Sequence, residues 1–346
     1  MTTPLKIALI GAGAMGRQHA GYLAKEPAAA LVAIADPFSP ALAEETGIRH
    51  FTDHREMLDR VRPDAVIIAN PNDLHVATAI DCLERGVPAL LEKPVACSRE
   101  EASRLIAAQR HHGVPILVGH HRRHNPVAER AKAIIDAGRL GRLATVTGMW
   151  QTRKPDDYFA MEWRRRPGAG VILINLVHDL DLLRHFCGEI RAVQAITQNA
   201  LRGFEVEDSA VIQLEFENGA LGSLTGSDGV VSPWGWDQNV NEVPLYAKHL
   251  DQSCYFLAGS EGALAVPQLK LWRYGEQRGW QHQLTCESHR FPEESAQQRQ
   301  LAHFLEVARG QAEPLVGVAD AARTLAVIDA IQEAARTGTR QVPLAT

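Results

Sequence analysis

Apolar and polar positions follow two different patterns along the chain, and the change of pattern divides it into two parts. In the first part, short apolar runs without polar alternation are separated by segments of helical periodicity. Uninterrupted apolar runs are typical of strands that are covered on both faces of a sheet. These runs are Leu5–Ile10, Leu31–Ala35, Asp64–Ala69, Val87–Leu91 and Pro115–Val118. Their alternation with helices predicts a parallel, doubly wound α/β sheet.

The helical segments of this part carry start and stop residues of their own. Ser98 and Glu101 have the spacing of a capping box ahead of a predicted helix at Ala102–His111. Gly113 follows directly and is expected to end that helix.

After a predicted helix at Pro126–Ala137, strand-like runs with polar alternation follow one another with few helices between them. The pattern predicts a largely antiparallel sheet with one face on a core. Glu217-Asn218-Gly219 is a hairpin signal between two of the runs. Two helices are expected near Glu294–Arg309 and Val318–Thr337, the second with an apolar face. The strand-like runs are Leu143–Thr152, Ala192–Thr197, Ser209–Phe216, Leu221–Ser227, Cys254–Leu257 and Lys270–Tyr274.

Composition and charge exclude several classes of protein. The chain has 346 residues, 45% of them hydrophobic and 22% charged, which is typical of a globular protein of about two domains. A net charge of −5 argues against nucleic-acid and anionic-membrane surfaces, because both need a basic face. No apolar run approaches the roughly 18 residues that a membrane helix requires. We therefore expect a soluble, cytoplasmic protein.

The amino terminus and the cysteines agree with that location. The apolar stretch Ile7–Met15 is preceded only by Lys6 as a basic residue, and no cleavage region follows it, so a signal peptide is not expected. The five cysteines are scattered, with no C-x-x-C pair, which predicts buried free thiols rather than disulfides. They are Cys82, Cys97, Cys187, Cys254 and Cys286.

A glycine-rich turn follows the first predicted strand and opens a helix. Its sequence is Gly11-Ala12-Gly13-Ala14-Met15-Gly16. In such a turn the first glycine permits the tight bend, the second lets the backbone approach a pyrophosphate, and the third lets the helix pack on the strand. The phosphates then face the positive end of the helix dipole. The turn predicts dinucleotide binding.

Asp36 ends the second predicted strand, 20 residues after Gly16, where a ribose-binding acid is expected. A carboxylate there accepts hydrogen bonds from both ribose hydroxyls and repels a 2′-phosphate, which favours NAD over NADP. A simpler interpretation is a helix-capping aspartate before Ser39-Pro40, and it is compatible with the first.

Further short motifs occur in a fixed order along the chain. Glu92-Lys93-Pro94 stands at the carboxyl end of a strand, where ligands bind in open α/β sheets. With the glycine-rich turn, the ordered set resembles the glucose–fructose oxidoreductase, inositol dehydrogenase and MocA (Gfo/Idh/MocA) family over essentially the whole chain. The other motifs are Ala69-Asn70-Pro71-Asn72 followed by His75, Arg122-Arg123 before Asn125-Pro126, Trp163-Arg164 before Gly168-Ala169-Gly170, and finally His178 and Asp181.

The resemblance implies a Rossmann domain and a second α/β domain with an open, mostly antiparallel sheet. We place them at residues 1–122 and 123–346, with the option that the last helix packs back on the first domain. The resemblance also implies that Lys93 contacts substrate and nicotinamide and that His178 is the proton acceptor. Elementary chemistry agrees, because an imidazole is a base near neutral pH and an ammonium stabilises a developing alkoxide.

The residue chemistry and the resemblance together imply two sets of site residues. The expected substrate-binding residues are Lys93, Asn175, His178, Trp163, Trp150 and Arg122. The expected cofactor-binding residues are Gly11, Ala12, Gly13, Ala14, Met15, Gly16, Asp36, Asn70, Pro71, Asn72, His75, Glu92, Lys93 and Arg122.

One departure from the family pattern concerns the histidine. The family commonly has an aspartate four residues before it, and here that position is Ile174. Asn175, three residues before His178, would lie on a similar helix face and can orient a hydroxyl or the imidazole. Asp179 and Asp181 are the alternatives for supplying the missing charge.

Histidine-rich stretches and tryptophans are two further groups of residues with possible roles in the site. His178, Asp181 and His185 have a spacing that could hold a metal, and His120, His121 and His124 form another histidine-rich stretch, but no metal site is expected. Four tryptophans are candidate walls of a substrate pocket or, equally, core residues, and the long loop Ser227–Leu250 is expected to cover the site. The tryptophans are Trp150, Trp163, Trp234 and Trp236.

The leading hypothesis is an NAD-dependent dehydrogenase of a cyclic polyol, sugar or sugar-derived hydroxyl. Two alternatives stay open: a dehydrogenase of a non-sugar ring diol such as an aryl dihydrodiol, and a dinucleotide-sensing regulator without turnover. Retention of both Lys93 and His178 favours an enzyme. An exposed apolar sheet face predicts a homo-oligomer, a dimer or tetramer, formed through the second domain.

Overall fold

The structure, a computed structural model, describes residues 3–344 and separates the chain into two units. The first unit runs through His121 and includes Ala296–Leu325. The second comprises Arg122–Ser295 and, of the described residues, 326–344. Each unit has its own sheet and its own apolar core.

The sheet of the first unit has six strands. They are β1 (Leu5–Ile10), β2 (Ala29–Ala35), β3 (Arg49–Phe51), β4 (Ala65–Ile68), β5 (Ala89–Leu91) and β6 (Ile116–Val118). All neighbouring strands are parallel, in the order β3-β2-β1-β4-β5-β6. This is the order of a doubly wound, Rossmann-type sheet. The predicted fold class of this unit is confirmed.

Helices cover both faces of this sheet. Ile7 and Leu9 of β1 belong to the apolar cluster on one face, and Ala8 and Ile10 belong to the cluster on the other. Because both faces are buried, the strand has no polar alternation. The helices that follow the strands are α1 (Ala14–Leu23), α2 (Ala41–Thr46), α3 (His54–Val61), α4 (His75–Leu83) and α5 (Arg99–His112).

Helix α5 begins and ends at the residues that the sequence indicated. The Ser98 hydroxyl accepts a hydrogen bond from the Glu101 N–H at 3.2 Å, and Gly113 ends the helix with a φ of 67°. The Glu101 carboxylate reaches back to the N–H of Cys97, at 2.9 Å. Two backbone donors ahead of the helix are thereby satisfied.

The second unit is built on a sheet of eight strands with a mostly antiparallel arrangement. β7 and β10 are parallel, and the other neighbours are antiparallel, in the order β14-β13-β12-β11-β7-β10-β9-β8. The predicted class of this sheet is confirmed. Its elements are α6 (Pro126–Asp136), β7 (Leu143–Gln151), α7 (Val177–Cys187), β8 (Ile190–Gln198), β9 (Ser209–Phe216), β10 (Leu221–Ser227), α8 (Trp236–Asn239), β11 (Tyr255–Gly259), β12 (Ala263–Val266), β13 (Lys270–Tyr274) and β14 (Leu284–Ser288).

Two helices, α9 (Ala296–Ala308) and α10 (Val318–Thr337), follow the eight-stranded sheet. The expected apolar face of α10 is buried along its length. Val318 and Ala322 belong to the core of the first unit, and Ile328 and Ile331 belong to the core of the second.

The cysteines correct one expectation from the sequence. All five are free, but Cys97 and Cys286 are exposed rather than buried, because they lie in a loop and on an exposed strand. The other three are buried, and burial raises the pKa of Cys82 to about 12. Within residues 3–344, no helix is both long and apolar enough to cross a membrane.

Candidate active site

The glycine-rich turn joins β1 to α1 and leaves the N-terminus of α1 without a side-chain cap. Gly11 has a φ of +95°, and a Cβ there would lie 2.5 Å from the carbonyl oxygen of Ala69. A Cβ on Gly16 would lie 2.0 Å from the carbonyl oxygen of Gly11. At Gly13 the Cβ position faces open space. Packing therefore requires the first and third glycines, and the second leaves room where a pyrophosphate binds in such turns.

The Asp36 carboxylate connects two turns of the first unit. Its Oδ2 accepts a hydrogen bond from the N–H of Ala12 at 2.8 Å. Its Oδ1 accepts from the N–H groups of Phe38 and Ser39, at 2.8 and 3.0 Å. These donors lie in the loop before α2, whose N-cap is Pro40 without a side-chain hydrogen bond, so Asp36 holds this loop and the helix-capping interpretation is wrong. Since a carboxylate offers about four lone pairs, an acceptor position on Oδ2 remains for a ribose hydroxyl.

Asn70 and His75 have different surroundings although both were expected to bind cofactor. Asn70 donates to Thr78 Oγ1 at 2.8 Å, while its buried Oδ1 has no hydrogen-bond partner among the described residues. His75 is fully buried and contacts the carbonyl oxygens of Pro94 and Asn70, at 2.8 and 3.1 Å. His75 therefore holds together the loops after β4 and β5. Asn72 begins the short 3-10 turn that lies between Asn70 and His75 in the chain.

A cavity of about 280 Å³ lies in the first unit and is lined in part by Gly11, Asp36, Asn70 and Pro71. The open space at Gly13, the uncapped helix N-terminus and the orphaned Oδ1 of Asn70 fit a dinucleotide. These residues would hold the pyrophosphate and ribose of NAD.

Arg55 also lines this cavity, although no motif or spacing in the sequence pointed to it. Its Nε donates to Asp81 Oδ2 at 2.9 Å, and His54 Nε2 lies 2.8 Å from the same oxygen. Asp81 therefore balances the charge of Arg55 within the cavity wall.

Glu92 and Lys93 follow β5, and Glu92 is buried beside a histidine of α1. His19 Nε2 lies 2.7 Å from Glu92 Oε1. Burial alone would raise the pKa of Glu92, but the hydrogen bond and charge of His19, with Lys93 and His121, hold that pKa below its ordinary value. The Lys93 N–H donates to Glu92 Oε2 at 3.2 Å, and the Lys93 side chain is half-buried. Glu92 is thus an internal anion that fixes the start of the Lys93-Pro94 loop.

In the second unit, a π-helical turn at Ile172–Leu176 precedes α7 and His178. The N–H of Val177 donates to the carbonyl oxygen of Ile172, five residues earlier. Such turns are frequent at functional sites. His178, the second residue of α7, is half-buried.

Asn175 lies in the π turn and is held by a lysine that the sequence did not single out. Lys154 Nζ donates to Asn175 Oδ1 at 2.7 Å. The amide oxygen of Asn175 is therefore engaged by an ammonium group. The amide NH₂ and the second lone pair of the oxygen stay available to orient another group.

A cavity of about 760 Å³ is formed by residues of the second unit, and most of its lining residues carry polar side chains. Asn175 and Ile174 belong to its wall. The long loop contributes as expected, and burial raises the pKa of Tyr246, one of its residues. The lining residues are Thr152, Arg153, Lys154, Pro155, Asp157, Tyr158, Arg164, Ile174, Asn175, Gln238, Leu245, Tyr246, Ala247 and His249.

Arg122 belongs to a buried ion network rather than to an open wall. It is 3% exposed and donates to Asp179 at 3.3 Å and to Asp237 at 3.1 Å. Tyr255 also donates to Asp179. Burial raises the pKa of Asp179 to about 6, against the opposing effects of Arg122 and Tyr255. The expected contact of Arg122 with substrate or cofactor would need this network to open.

The alternatives for the missing family aspartate are engaged by arginines. Asp179 is bound to Arg122, and Asp181 receives two hydrogen bonds from Arg123, at 2.8 and 2.7 Å. Both carboxylates are buried. The side chain at position 174 therefore adds no charge to the cavity wall, and the carboxylates of Asp179 and Asp181 form buried ion pairs instead.

The tryptophans correct the expected pocket walls. Trp150 and Trp236 are 1% and 0% exposed and belong to the apolar core, because their strand or helix turns them inward. Trp150 Nε1 donates to Asp237 at 2.8 Å. Trp163 and Trp234 are exposed and do not line the cavity, whose aromatic residues are tyrosines.

The histidine clusters gain no support as metal sites. Within residues 3–344, no group of three or more His, Cys, Asp or Glu side chains is arranged to hold a metal ion. His120 and His124 are buried.

The fold and the glycine-rich cradle together define a dinucleotide-binding protein with a separate α/β unit. Residues 5–120 match the oxidoreductase family with an NAD-binding Rossmann fold, and residues 128–264 match the Gfo/Idh/MocA C-terminal domain. The chain belongs to the Gfo/Idh/MocA family. The expected family, the NAD cofactor and the oxidoreductase activity are confirmed.

Similar proteins agree with this membership. The uncharacterized oxidoreductase YrbE of Bacillus subtilis is 31% identical over 251 residues, which cover 69% of this chain and 71% of YrbE. The inositol 2-dehydrogenase of Rubrobacter xylanophilus is 29% identical over 273 residues, covering 77% and 72% of the two chains. The WlbA dehydrogenase of Bordetella pertussis, solved with NADH and UDP-GlcNAcA, is 26% identical with a TM-score of 0.80 over 99% of each chain.

Proposed function

We propose that the protein oxidises a hydroxyl group of a cyclic polyol, sugar or sugar-derived compound with NAD. The observation that carries the proposal is the cavity of about 760 Å³ in the second unit, which has a size typical of small-molecule sites and includes many residues with hydrogen-bonding side chains in its lining. Hydrogen-bonding side chains around such a cavity suit a polyhydroxyl compound. The names of the inositol dehydrogenase and of WlbA, which was solved with a sugar nucleotide, support the same class.

In the proposed reaction, His178 removes the hydroxyl proton as the C–H bond of the same carbon breaks. NAD supplies the acceptor for the hydride, and the substrate becomes a ketone or lactone. Lys93 stabilises the negative charge that develops on the oxygen. The half-burial of both side chains supports these roles, because each is partly shielded while one face stays accessible.

His178 works without the aspartate of the family pattern. Ile174 occupies that position, and Asn175 is bound to Lys154. We therefore propose that no carboxylate relay acts through position 174 and that the π turn positions the imidazole.

Polyols, sugars and dihydrodiols are tested as substrates, and their oxidation is measured by NADH absorbance. The same assay is applied to the Lys93→Met and His178→Gln variants. Each variant is expected to lower kcat by about 10²–10⁴-fold, as for loss of a positioned acid or base, while NADH binding survives. His178 should also impose an acidic limb on oxidation, since a protonated imidazole accepts no proton. The matched controls are the exposed Lys25→Met and His112→Gln.

Full turnover by Lys93→Met would contradict the mechanism. NADH binding by the unmodified protein without turnover of any hydroxyl compound would favour the regulator.

We also propose a cytoplasmic homo-oligomer. The five free cysteines support the location. Exposed apolar side chains on the outer face of the eight-stranded sheet support association of copies through that face. They include Ile196, Val211 and Phe256.

A further inference from the structure

Lys154 is a buried lysine in the wall of the large cavity of the second unit. Its side chain is 6% exposed, and its backbone N–H donates to the carbonyl oxygen of Asp228, directly beyond the end of β7. Burial of an ammonium group is unfavourable unless the charge is balanced. The charges around Lys154 therefore indicate what the cavity accepts.

Lys154 shares its ion-pair partner, Asp228, with a second cation. Asn175, its nearest acceptor, is neutral, and Asp228 Oδ2 lies 3.4 Å from Nζ. The other oxygen of Asp228 accepts from Arg202 Nε at 2.9 Å, so two cations share one carboxylate. Burial lowers the pKa of Lys154 to about 8; Asp228 opposes this shift, and the charges of Arg202 and Arg164 add to it. One buried carboxylate thus serves both Lys154 and Arg202, and Arg164 has no ion-pair partner among the described residues.

Arg164 is a second cation in the same wall. Its guanidinium lies 3.9 Å from the ring centroid of Tyr158, and Nη1 donates to the Tyr158 carbonyl oxygen at 2.6 Å. Its Nε is buried and has no hydrogen-bond partner among the described residues. The remaining N–H groups form the planar donor set that binds a carboxylate through two hydrogen bonds.

Among the described residues that line the cavity, Asp157 is the acidic one, whereas the buried carboxylates of Asp208 and Asp228 line a smaller pocket together with Lys154 and Arg164. Asp157 lines the cavity but is exposed to solvent, and Asp156, 3.5 Å from Arg202, is also exposed. Solvent screens such charges more than buried ones. Ile174 adds no charge, whereas an aspartate at that position would place a carboxylate in the same wall.

We propose that the substrate is an acid, a hydroxyl compound of the sugar-acid type with one carboxylate, and that Lys154 and Arg164 bind this carboxylate. The inference specifies the substrate class and rests on the function proposed above. An ion pair is stronger in a partly enclosed cavity than at the surface, so the pair should dominate substrate selection. Lys154 and Arg164 are specificity residues and take no part in hydride or proton transfer.

The first experiment compares matched compounds that differ in charge: D-glucose with D-glucuronate, and D-galactose with D-galacturonate. Calorimetry on the NADH complex gives affinities, and NADH absorbance gives kcat/KM. Each acid is expected to exceed its neutral partner at least tenfold. Equal affinity for both members, or binding of neither, would overturn the inference. Binding of the acids without turnover would support the inference and contradict the proposed oxidation.

The second experiment measures glucuronate binding by Lys154→Met and Arg164→Met. Each substitution should raise the Kd and KM for the acid at least tenfold, and this loss of affinity should be larger for glucuronate than for glucose. Lys270→Met removes an exposed lysine elsewhere in the unit and should change neither value. An unchanged Kd in Arg164→Met, which removes the less buried cation, would overturn the inference even if Lys154→Met fails to fold.

The charge of Lys154 predicts that the affinity for glucuronate depends on pH. Because its pKa is about 8, the ammonium should be lost as pH rises through that value, and the Kd for glucuronate should rise with it. The Lys154→Arg variant keeps its charge and should move the rise to higher pH. Identical pH profiles for the two proteins would contradict the assignment of Lys154.

Discussion

At the scale of single residues, Asp36 shows how one carboxylate serves both structure and ligand choice. Three backbone N–H groups donate to it, one of them from the glycine-rich turn. The carboxylate therefore fixes the loop after β2 relative to the phosphate cradle. A ribose hydroxyl would donate to the remaining acceptor position of this carboxylate, and a 2′-phosphate would be repelled by its negative charge.

We predict that Asp36→Asn weakens NAD binding and reduces discrimination against NADP. The amide oxygen can still accept from Phe38 and Ser39, but the NH₂ group would face the N–H of Ala12, and the charge is lost. Loss of a charged hydrogen bond costs about 1.5–3 kcal/mol, so the Kd for NADH should rise by about one to two orders of magnitude. Fluorescence titration with NADH and NADPH measures both effects.

Asp59→Asn, at an exposed aspartate of the same unit, is the control and should bind NADH normally. If Asp36→Asn keeps the NADH affinity of the unmodified protein, the carboxylate only caps its loop.

The residues that sequence reasoning identified are those whose role depends on local spacing. Asp36 was found because it stands a fixed distance from the glycine-rich turn. His19 and Glu92, by contrast, pair across 73 positions, and Lys154 and Asn175 across 21. No periodicity relates such positions, so only the folded chain brings the pairs together.

At the scale of elements, predictions succeeded where burial imposes a pattern and failed where it does not. The strands β9, β10 and β13 have the predicted bounds. Strand β3 has three residues, and every residue of β14 is exposed, so neither has an apolar pattern to recognise. The π turn at Ile172–Leu176 was not predicted either. Its hydrogen bond joins residues five positions apart, so the spacing of three and four residues that relates neighbours on an α-helix does not apply there.

The strand–turn–helix unit of the phosphate cradle gives a prediction with a built-in comparison. Gly16→Ala should destabilise the first unit by about 1–3 kcal/mol, because its Cβ would overlap the backbone of Gly11. Gly13→Ala should cost about 1 kcal/mol at most, since its φ of −68° and its open space accept alanine. Its methyl group would nevertheless occupy space needed by the pyrophosphate, so NADH affinity should fall.

Thermal unfolding and NADH titration separate these two effects. A Gly13→Ala protein that is stable and binds NADH normally would contradict the position assigned to the pyrophosphate.

At the scale of the whole molecule, the eight-stranded sheet has two faces of different character. Its inner face packs on α6, α7 and the second half of α10. The alternation along its strands predicted one buried face, but the parallel pairing of β7 with β10 joins distant segments and has no local signal. On the outer face, Ile196 lies opposite Val211, and Val211 lies opposite Thr225. Ile196 and Val211 are 75% and 51% exposed, although large apolar side chains in a strand are normally covered.

We predict that the unmodified protein is a dimer or tetramer and that Val211→Lys shifts it towards monomers. Val211 lies between Ile196 and Thr225 in a row across three strands, so a lysine there would place one ammonium group per copy inside a face that two copies bury. Charged groups at the core of an interface are unfavourable unless paired, and the dissociation constant should rise at least tenfold for a loss of about 1.4 kcal/mol or more. Light scattering after size-exclusion chromatography at several protein concentrations measures the change.

Val231→Lys, at a loop valine that is 91% exposed, makes the same substitution outside the sheet and should leave the mass unaltered. A monomeric unmodified protein, or a Val211→Lys protein of unchanged mass and normal thermal stability, would show that copies do not associate through this face.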